Sequence, residues 1–347
     1  MSVSEARAEL IGRVLPEGVP RLWCPMISHY SEDGGFDRAR TMAHFKRLAP
    51  RVKGFLLPGS TGDGWEMEDR EIRALLEIAL AAAKEFRFRI LIGVLKTEVS
   101  EVKTTIEDLT GWLCERTGCA DAVDAMVSAR VCGFTVCPPK GAERSQEEIR
   151  SALAEILSMG RPTSLYQLPQ VTLNEMDPGT VAGLAREFSN LILFKDTSGQ
   201  DRVALSQAEF GGVFMVRGAE GKYTNWPRLN GGVYDGFLLS TANSFPEELA
   251  GVLELLVAGR VADAVALSDR LDAIVGGVFE AVGGLEFGNA FANANKAMDH
   301  VRAIGGTAGE IPGPRTHSGK RLPVEVMREV VRLMDDAGCC PEVGYLR

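Results

Sequence analysis

The chain has 347 residues, of which 45% are hydrophobic and 24% are charged. This composition is typical of an ordinary globular protein and excludes collagen-like and disordered chains. Lysine and arginine number 38 against 47 aspartate and glutamate residues, and the resulting net charge of −9 argues against a nucleic-acid partner, which usually requires a basic face.

The seven cysteines are an odd number in a long chain, which favours reduced thiols over the disulfide framework of a secreted protein. Residues 1–18 are polar and acidic, unlike a secretory signal peptide, and no apolar run reaches the length of a membrane span. We therefore expect a cytoplasmic protein that does not associate with membranes.

Eight short apolar runs, rich in residues that favour β structure, follow one another along the chain. They cover residues 21–27, 52–57, 90–94, 133–137, 164–168, 191–195, 213–216 and 233–240. Runs this continuous are typical of strands that are buried on both faces of a parallel sheet.

Segments with helical periodicity lie between these runs, as in residues 72–79 and 181–188. Helix start signals agree with this pattern, with an Asp-Pro pair at 177–178 and a capping box at 145–148. The sequence from 98 to 130 is long for one helix and predicts two, separated near Gly118.

Strands that alternate with helices over residues 20–244 predict a (β/α)8 barrel, the TIM barrel of α/β proteins, with an open doubly wound sheet as the alternative. Residues 1–19 form an N-terminal segment. From residue 245 to 347 helical patterns dominate, including an apolar stripe over 327–334. We expect this C-terminal helical region to pack on the barrel or in a subunit interface.

Lys195 ends the sixth predicted strand, where the reacting groups of such barrels lie. A lysine in apolar surroundings loses its proton more easily, and its neutral amine can attack a carbonyl to form a Schiff base. Taken alone, the position favours a lysine whose side chain simply extends to the solvent at a strand end.

Tyr166 occupies the corresponding place on the preceding strand, where its phenol could transfer protons beside the amine. A tyrosine in a strand is otherwise usually a packing residue. After the second strand, residues 59–64 (Gly-Ser-Thr-Gly-Asp-Gly) can form a tight turn that binds a carboxylate or phosphate, although they do not match the P-loop pattern and could form a plain loop.

Metal sites and cofactors are not expected. The cysteines lack the spacing of zinc ligands, and the four histidines form no H-E-x-x-H motif. These histidines are predicted to be surface or structural side chains.

Taken together, three segments resemble the signatures of the N-acetylneuraminate lyase and dihydrodipicolinate synthase family of pyruvate-handling enzymes. Residues 59–63 are similar to its G-[ST]-T-G-E pattern, 166–169 to Y-N-x-P, and 195–199 to K-[DE]-x-[ST]-G. The resemblance extends to residues 236–243 and to the C-terminal helices, and it covers essentially residues 20–340.

The resemblance implies that Lys195 forms the imine and that Tyr166 and Ser60 transfer protons. Thr61, Thr197 and Gly218 are implied to bind the substrate. It also implies a homo-oligomer, a dimer or tetramer, and a substrate pair made of a 2-oxo acid such as pyruvate and an aldehyde or sugar acid.

This chain departs from the synthase branch at three places. Residues 136–140 (Val-Cys-Pro-Pro-Lys) replace a tyrosine pair, Val171 replaces an arginine, and Gln167 stands where the family has asparagine. The first two differences argue against dihydrodipicolinate synthesis. Trp65 or Trp226 could lie near the second substrate, which would then be aromatic or bulky.

The leading prediction is therefore a class I aldolase or lyase in which Lys195 condenses with a 2-oxo acid and a C–C bond is made or broken. Three alternatives remain: a dehydratase of a 2-oxo-3-deoxy sugar acid that uses the same imine, a dihydrodipicolinate synthase, and a barrel that binds ligands without catalysis. The roles of Lys140 and Glu220 stay open.

Overall fold

The computed structural model of the protein describes residues 1–346. Eight parallel strands close into a barrel in chain order. They are β1 (Leu22–Pro25), β2 (Gly54–Leu57), β3 (Arg89–Val94), β4 (Val131–Val136), β5 (Thr163–Gln167), β6 (Leu191–Asp196), β7 (Phe214–Arg217) and β8 (Gly236–Leu238). Because β1 pairs with β8, the predicted TIM barrel is confirmed and the open sheet is wrong.

Helices follow the strands and extend the chain beyond the barrel. Those within residues 1–346 are α1 (Val3–Val14), α2 (Arg38–Leu48), α3 (Asp69–Phe86), α4 (Val99–Thr117), α5 (Ala122–Ser128), α6 (Gln146–Leu157), α7 (Pro169–Thr172), α8 (Pro178–Glu187), α9 (Arg202–Leu205), α10 (Pro246–Val257), α11 (Val261–Val282), α12 (Ala290–Ile304) and α13 (Val324–Asp336). None of them combines the length and apolar character needed to cross a lipid bilayer.

All eight predicted strands are present, and seven have ends within two residues of the prediction. The exception is β8, predicted over 233–240 and observed over 236–238. Tyr234 instead forms an isolated bridge with Pro227, and residues 240–243 turn into a 3-10 helix. The backbone therefore leaves the sheet at both ends of this apolar run.

The predicted helix boundaries also agree with the structure. Ser145 and Glu148 form the capping box that begins α6, and Asp177 caps α8. Gly118 has a positive φ of 72° at the end of α4, a conformation that suits glycine. Helix α4 ends there, and α5 follows.

The N-terminal segment contains a helix, α1, that our sequence analysis did not predict. Ser2 and Glu5 form a reciprocal capping box at its start, and the S-x-x-E spacing that signals such a box is visible in the sequence. The helix lies at the end of the barrel where the strands begin, in contact with α5, α8, β4 and β6.

Arg7 fixes α1 to the barrel. Its side chain is fully buried, and it donates to the backbone carbonyls of Leu191 at 2.6 Å and Phe188 at 2.9 Å, and to those of Ala185 and Gly211. The start of the chain is thereby tied to the starts of β6 and β7.

The C-terminal helices pack on each other and on the barrel. The apolar stripe of α13, formed by Met327, Val330 and Met334, is buried against α11 and α12. Helix α12 in turn contacts the 3-10 turns at 60–62 and 240–243, both of which follow strand ends. This helix therefore supports the end of the barrel where the predicted site lies.

Candidate active site

Lys195 lies at the carboxyl end of β6 and pairs in register with Tyr166 on β5. Its side chain is only 3% exposed, and its Nζ lies 3.9 Å from the centroid of the Tyr166 ring. Within residues 1–346 this amine has no hydrogen bond or ion pair to another side chain or carbonyl. The two residues that the sequence analysis placed together are therefore neighbours, and the amine is left free.

The surroundings of Lys195 favour the neutral amine. Burial lowers the pKa of Lys195 to about 7, and the nearby Cys137 thiol and Glu220 carboxylate oppose this shift only in part. Because burial penalises the ammonium form, a large fraction of this amine carries no proton near neutral pH. Such an amine can act as a nucleophile toward carbonyl compounds.

Tyr166 belongs to a row of three polar side chains at the barrel mouth. The Oγ of Ser60 lies 3.4 Å from the Tyr166 hydroxyl, and the indole Nε1 of Trp65 donates to the same Oγ at 2.8 Å. Burial raises the pKa of Tyr166, so the phenol keeps its proton. Since the indole can only donate, Ser60 is left to donate its own proton toward Tyr166 or a ligand.

Thr61 and Thr197 lie at two different edges of the site. Thr61 is buried in the 3-10 turn that follows β2. Thr197, just after β6, donates its hydroxyl to the backbone carbonyl of Gln167 at 2.5 Å. The Thr197 hydroxyl is therefore oriented, and its oxygen retains the capacity to accept a hydrogen bond.

Gly218 follows β7 and packs directly against the lysine. A Cβ atom at this position would lie 2.8 Å from the Cε of Lys195 and 2.4 Å from the Cγ2 of Thr197. Both distances are shorter than carbon atoms can approach, so only glycine lets the Lys195 side chain extend across this wall.

Glu220, left open by the sequence, is anchored at the barrel mouth. One carboxylate oxygen accepts hydrogen bonds from the Ser240 hydroxyl at 2.6 Å and the Thr241 amide at 3.1 Å. The other accepts from the Tyr223 hydroxyl at 3.0 Å. Lys140, the other open residue, is exposed on the loop after β4 and does not join this group.

The remaining wall of the site is apolar. Tyr166 is in a buried cluster with Leu95, Cys137 and Leu168, and Trp65 and Val171 pack against it. Trp226 is not part of this cluster. The centroid of its ring instead lies 3.9 Å from the guanidinium carbon of Arg217. Of the two tryptophans considered from the sequence, Trp65 is thus the one beside Ser60 and Tyr166.

A second layer of contacts holds the Ser60 turn in place. The buried side chain of Asp63 pairs with Lys296 of α12 at 2.7 Å and accepts from the Tyr30 hydroxyl at 3.0 Å. Asn289, which caps α12, donates to the Ser60 carbonyl at 3.1 Å. Sequence reasoning missed these roles because Lys296 and Asn289 lie more than 200 residues after the turn.

Three of the four histidines are buried rather than on the surface. His29, His44 and Asp299 have potential ligand atoms within 4.8 Å of one another. However, the two ring nitrogens of His44 face His29 at 3.0 Å and the Asn243 carbonyl at 2.9 Å, and Arg40 donates to Asp299 at 3.2 Å. Because the His44 nitrogens and the Asp299 carboxylate already have partners, this cluster fits a structural hydrogen-bond network better than a metal site.

A known protein family accounts for most of the chain. The model of the Dihydrodipicolinate synthetase family matches residues 19–286. The chain belongs to this family. Members of the dihydrodipicolinate synthetase family are lyases, so the predicted enzyme class is confirmed.

Among curated relatives in the family, 4-hydroxy-tetrahydrodipicolinate synthase of Brucella abortus is 26% identical over 250 residues, which are 71% of this chain and 78% of the relative. A probable 2-dehydro-3-deoxy-D-pentonate aldolase of Escherichia coli is 25% identical over 256 residues, with coverages of 71% and 77%. The family thus includes proteins named for a synthase and for an aldolase.

Solved structures share the fold of this dihydrodipicolinate synthetase family member. The Escherichia coli protein YagE, solved in complex with pyruvate, superposes with a TM-score of 0.73 at 19% identity and covers 92% of this chain and 99% of its own. A variant of Sulfolobus solfataricus 2-keto-3-deoxygluconate aldolase gives 0.66 at 15% identity, with coverages of 91% and 96%. At these identities the likeness establishes the barrel alone.

The departures from the family signatures have local structural explanations. Gln167 is buried, and its Oε1 accepts from the Met176 amide at 2.7 Å, so the longer side chain fastens the loop after β5. Val171 contributes to the apolar wall near Tyr166, at the place where the sequence resemblance expects an arginine. This wall offers no cation to a carboxylate.

Proposed function

We propose that this protein is a class I aldolase in which Lys195 forms a Schiff base with pyruvate or another 2-oxo acid. One observation carries the proposal: the buried Lys195 amine has no hydrogen-bond or ion-pair partner within residues 1–346, and its pKa is lowered to about 7. A buried amine kept free of carboxylates contributes nothing to an ion pair, whereas it suits nucleophilic attack.

The first half of the reaction forms the imine. The neutral Lys195 amine attacks the C2 carbonyl, and the carbonyl oxygen takes up a proton to give a carbinolamine. Loss of water, which carries away that oxygen, leaves an iminium ion on Lys195. Tyr166, whose hydroxyl is 3.4 Å from Ser60, supplies and removes these protons as a general acid and base.

The second half changes the bond at the third carbon. The iminium withdraws electrons, so removal of the proton from the C4 hydroxyl by Tyr166 breaks the C3–C4 bond. This step leaves an enamine on Lys195 and releases an aldehyde. Protonation of the enamine at C3 and hydrolysis then return the 2-oxo acid and the free amine. In the synthetic direction the same enamine attacks the aldehyde, and the protons move in reverse.

The substrate carboxylate is assigned to the turn that follows β2. The hydroxyls of Ser60 and Thr61 lie at the start of this turn, and they can donate to a carboxylate as neutral groups. Thr197 and Gly218 border the amine on its other side, where Thr197 would contact a hydroxyl of the substrate. These roles remain assignments for mutagenesis.

The second substrate is an uncharged aldehyde rather than the semialdehyde of dihydrodipicolinate synthesis. In the cleavage direction the substrate is a 2-oxo-3-deoxy sugar acid, whose one carboxylate is that of its 2-oxo acid end. The apolar wall formed by Leu168, Val171 and Trp65 supports this choice, because a second carboxylate would be costly to bury there without a cation. The dehydratase alternative uses the same iminium: loss of a proton from C3 gives an enamine, which expels the C4 hydroxyl together with a proton as water. The carbon chain would stay intact.

A homo-oligomer, a dimer or tetramer, is part of the proposal, as the family resemblance implies. Phe291, Val261 and Val265 are large apolar side chains exposed on α11 and α12, and apolar residues of this kind are frequent in subunit contacts. Sedimentation of the purified protein tests this point, and a monomer at assay concentration would remove it.

The Schiff base is tested by incubating the protein with pyruvate and borohydride and measuring the intact mass, followed by peptide mapping. We expect one reduced pyruvate adduct on Lys195 and none in Lys195→Ala. Lys140→Ala is the matched control, since it removes an exposed lysine at the same end of the barrel and should retain the adduct.

The outcomes separate the alternatives. Absence of an adduct in a folded protein would contradict the pyruvate proposal and favour a barrel without catalysis. With the adduct established, release of pyruvate from 2-oxo-3-deoxy sugar acids identifies an aldolase. Conversion of such acids without pyruvate release identifies a dehydratase.

A further inference from the structure

A large cavity lies at the end of the barrel opposite to Lys195. It measures about 810 Å³ and is bounded by residues 17–22, by the starts of β2, β3 and β4, and by α10. Catalytic groups of (β/α)8 barrels come from the other end, so this cavity is separate from the candidate active site. Its volume is within the range of sites for small organic molecules.

The wall of this basic cavity is strongly positive. It contains six cationic residues, Arg21, Arg51, Lys53, Arg87, Arg89 and Arg130, and two carboxylates, Glu17 and Glu254. The excess of four positive charges stands out in a chain whose net charge is −9. A concave wall with an excess of one sign of charge concentrates ions of the opposite sign.

Several of these cations are not neutralised within the protein. Arg51 pairs with Glu254 at 3.0 Å on the surface, where such pairs contribute little. Within residues 1–346 the guanidinium groups of Arg21 and Arg87 have no hydrogen bond or carboxylate partner. Two guanidinium groups are therefore available to an added anion.

The cavity already holds one oxyanion group of its own. Arg89, which is buried, donates to both carboxylate oxygens of Glu17 at 3.2 and 3.1 Å, and Arg130 lies 3.6 Å from the same carboxylate. Since the Glu17 side chain is 61% exposed, a stronger anion could displace it. Guanidinium groups in this arrangement bind phosphate in the same manner.

Part of the wall is apolar. Val257 is 62% exposed and borders the cavity with Leu253, Val19 and Pro20. A bare inorganic anion would leave this surface in contact with water. A ligand that has both phosphates and a flat apolar group would cover both parts of the wall.

We propose that this basic cavity binds a nucleoside polyphosphate, with the phosphates on the arginines and the base against the apolar wall. The site does not involve Lys195, so it is independent of the function proposed above. A nucleic-acid polymer fits less well, because the cations converge inside one cavity and do not form a stripe along the surface.

Isothermal titration calorimetry with ATP tests this proposal. We expect saturable binding that weakens as sodium chloride is raised. Arg21→Gln and Arg87→Gln should each weaken binding by about tenfold or more, because each removes a charge-assisted contact to phosphate. Neither substitution breaks an ion pair or hydrogen bond of the side chain within the described residues, so both variants should fold.

The matched control is Arg186→Gln, which removes an exposed arginine from α8, outside the cavity, and should leave ATP affinity unchanged. Lys195→Ala should also bind ATP normally, whether or not Lys195 forms an imine. Inorganic tripolyphosphate should bind at least about tenfold more weakly than ATP if the apolar wall holds the base.

Three results would overturn the proposal. The first is no saturable ATP binding by the unaltered protein. The second is equal weakening in Arg87→Gln and Arg186→Gln, which would indicate only a general charge effect. The third is equal affinity for tripolyphosphate and ATP, which would eliminate the nucleoside from the ligand.

Discussion

Two lysines of this protein are almost completely buried, and their surroundings differ. Lys296, on α12, donates to the Asp63 carboxylate at 2.7 Å and to the Ser28 carbonyl at 2.9 Å. Lys195, in the barrel mouth, has the face of the Tyr166 ring as its neighbour and no carboxylate or carbonyl within hydrogen-bonding distance in residues 1–346. Burial lowers the pKa of both amines.

The difference shows how one residue type can serve structure or chemistry. For Lys296 the Asp63 charge and hydrogen bond oppose the effect of burial, and the contact between the two side chains links α12 to the turn after β2. For Lys195 the opposing groups act only through their charges, without a hydrogen bond to the amine, and burial lowers the pKa to about 7. The two roles differ in whether a carboxylate accepts a hydrogen bond from the lysine amine.

Removal of the unpartnered lysine should give the largest effect on activity. Lys195→Ala is expected to lower turnover by at least about 10⁴-fold, since the variant lacks the amine that forms the imine. Steady-state kinetics on a substrate identified by the pyruvate-release screen measures this loss. The circular dichroism spectrum should be unchanged, and full activity in this variant would refute the proposed mechanism.

Removal of the Tyr166 hydroxyl should have the next largest effect. Tyr166→Phe keeps the ring beside the amine but removes the hydroxyl, and we expect turnover to fall by about 10²- to 10⁴-fold. Borohydride capture of pyruvate should persist at a reduced rate. An unchanged turnover rate would exclude Tyr166 from proton transfer.

Removal of Lys296, the lysine that is paired with Asp63, should lower the free energy of unfolding instead of the catalytic rate. Lys296→Met leaves the Asp63 carboxylate buried without its cation, which costs about 3–5 kcal/mol when a buried pair is broken. Urea unfolding measures the change. Asp63→Asn in the same chain should recover part of the loss.

Lys195→Met provides the contrast to that experiment. Because Lys195 forms no ion pair within residues 1–346, we expect the free energy of unfolding of this variant at pH 7 to equal or exceed that of the unaltered protein. A loss as large as that of Lys296→Met would show that the two lysines contribute equally to stability.

The rate of pyruvate capture should depend on pH in the way expected for an amine with the lowered pKa of Lys195. With a pKa of about 7, the neutral fraction of Lys195 rises about tenfold per pH unit below that value and levels off above it. We expect the initial capture rate to follow this curve between pH 5.5 and about 9. A rate that continued to rise through pH 10 would indicate an ordinary surface amine.

The same shift predicts a stability effect with a definite sign. Between its folded pKa near 7 and its unfolded value, Lys195 binds a proton only in the unfolded chain. Stability of the unaltered protein should therefore rise with pH in this window relative to Lys195→Met. Urea unfolding at pH 7 and pH 9 checks the direction, and parallel changes in the two proteins would contradict it.

The smallest effect concerns Trp65, which donates to Ser60 at 2.8 Å. Trp65→Phe retains much of the apolar contact but frees the Ser60 oxygen, so the serine proton is no longer directed toward Tyr166. We expect turnover to fall by about three- to tenfold, the value of one neutral hydrogen bond. Ser60→Ala should lower it further, and equal rates for all three proteins would eliminate this row of hydrogen bonds from the mechanism.

The barrel could be predicted from the sequence because its strands are continuous apolar runs and its turns carry strong local signals. Lys195 and Tyr166 could be placed together because equivalent ends of neighbouring parallel strands meet at one end of a barrel. Gly218 could be assigned only by resemblance, since the contact that requires glycine involves the Lys195 side chain.

Features that depend on distant parts of the chain could not be predicted. Asp63 and Lys296 are 233 residues apart. The sequence around either residue does not indicate which residue it pairs with. The basic cavity likewise combines side chains from residues 17–22, three strand starts and α10. Dispersed arginines in the sequence become one charged wall only when the barrel closes.

The anchoring of α1 by Arg7 has a consequence for the order of events during synthesis. The carbonyls that accept from Arg7 belong to residues 178 to 204 positions later in the chain. At ribosomal rates of about 5–20 residues per second, α1 waits on the order of 10–40 s before these partners exist. The first helix to be made can therefore reach its final place only after more than half of the polypeptide has been made.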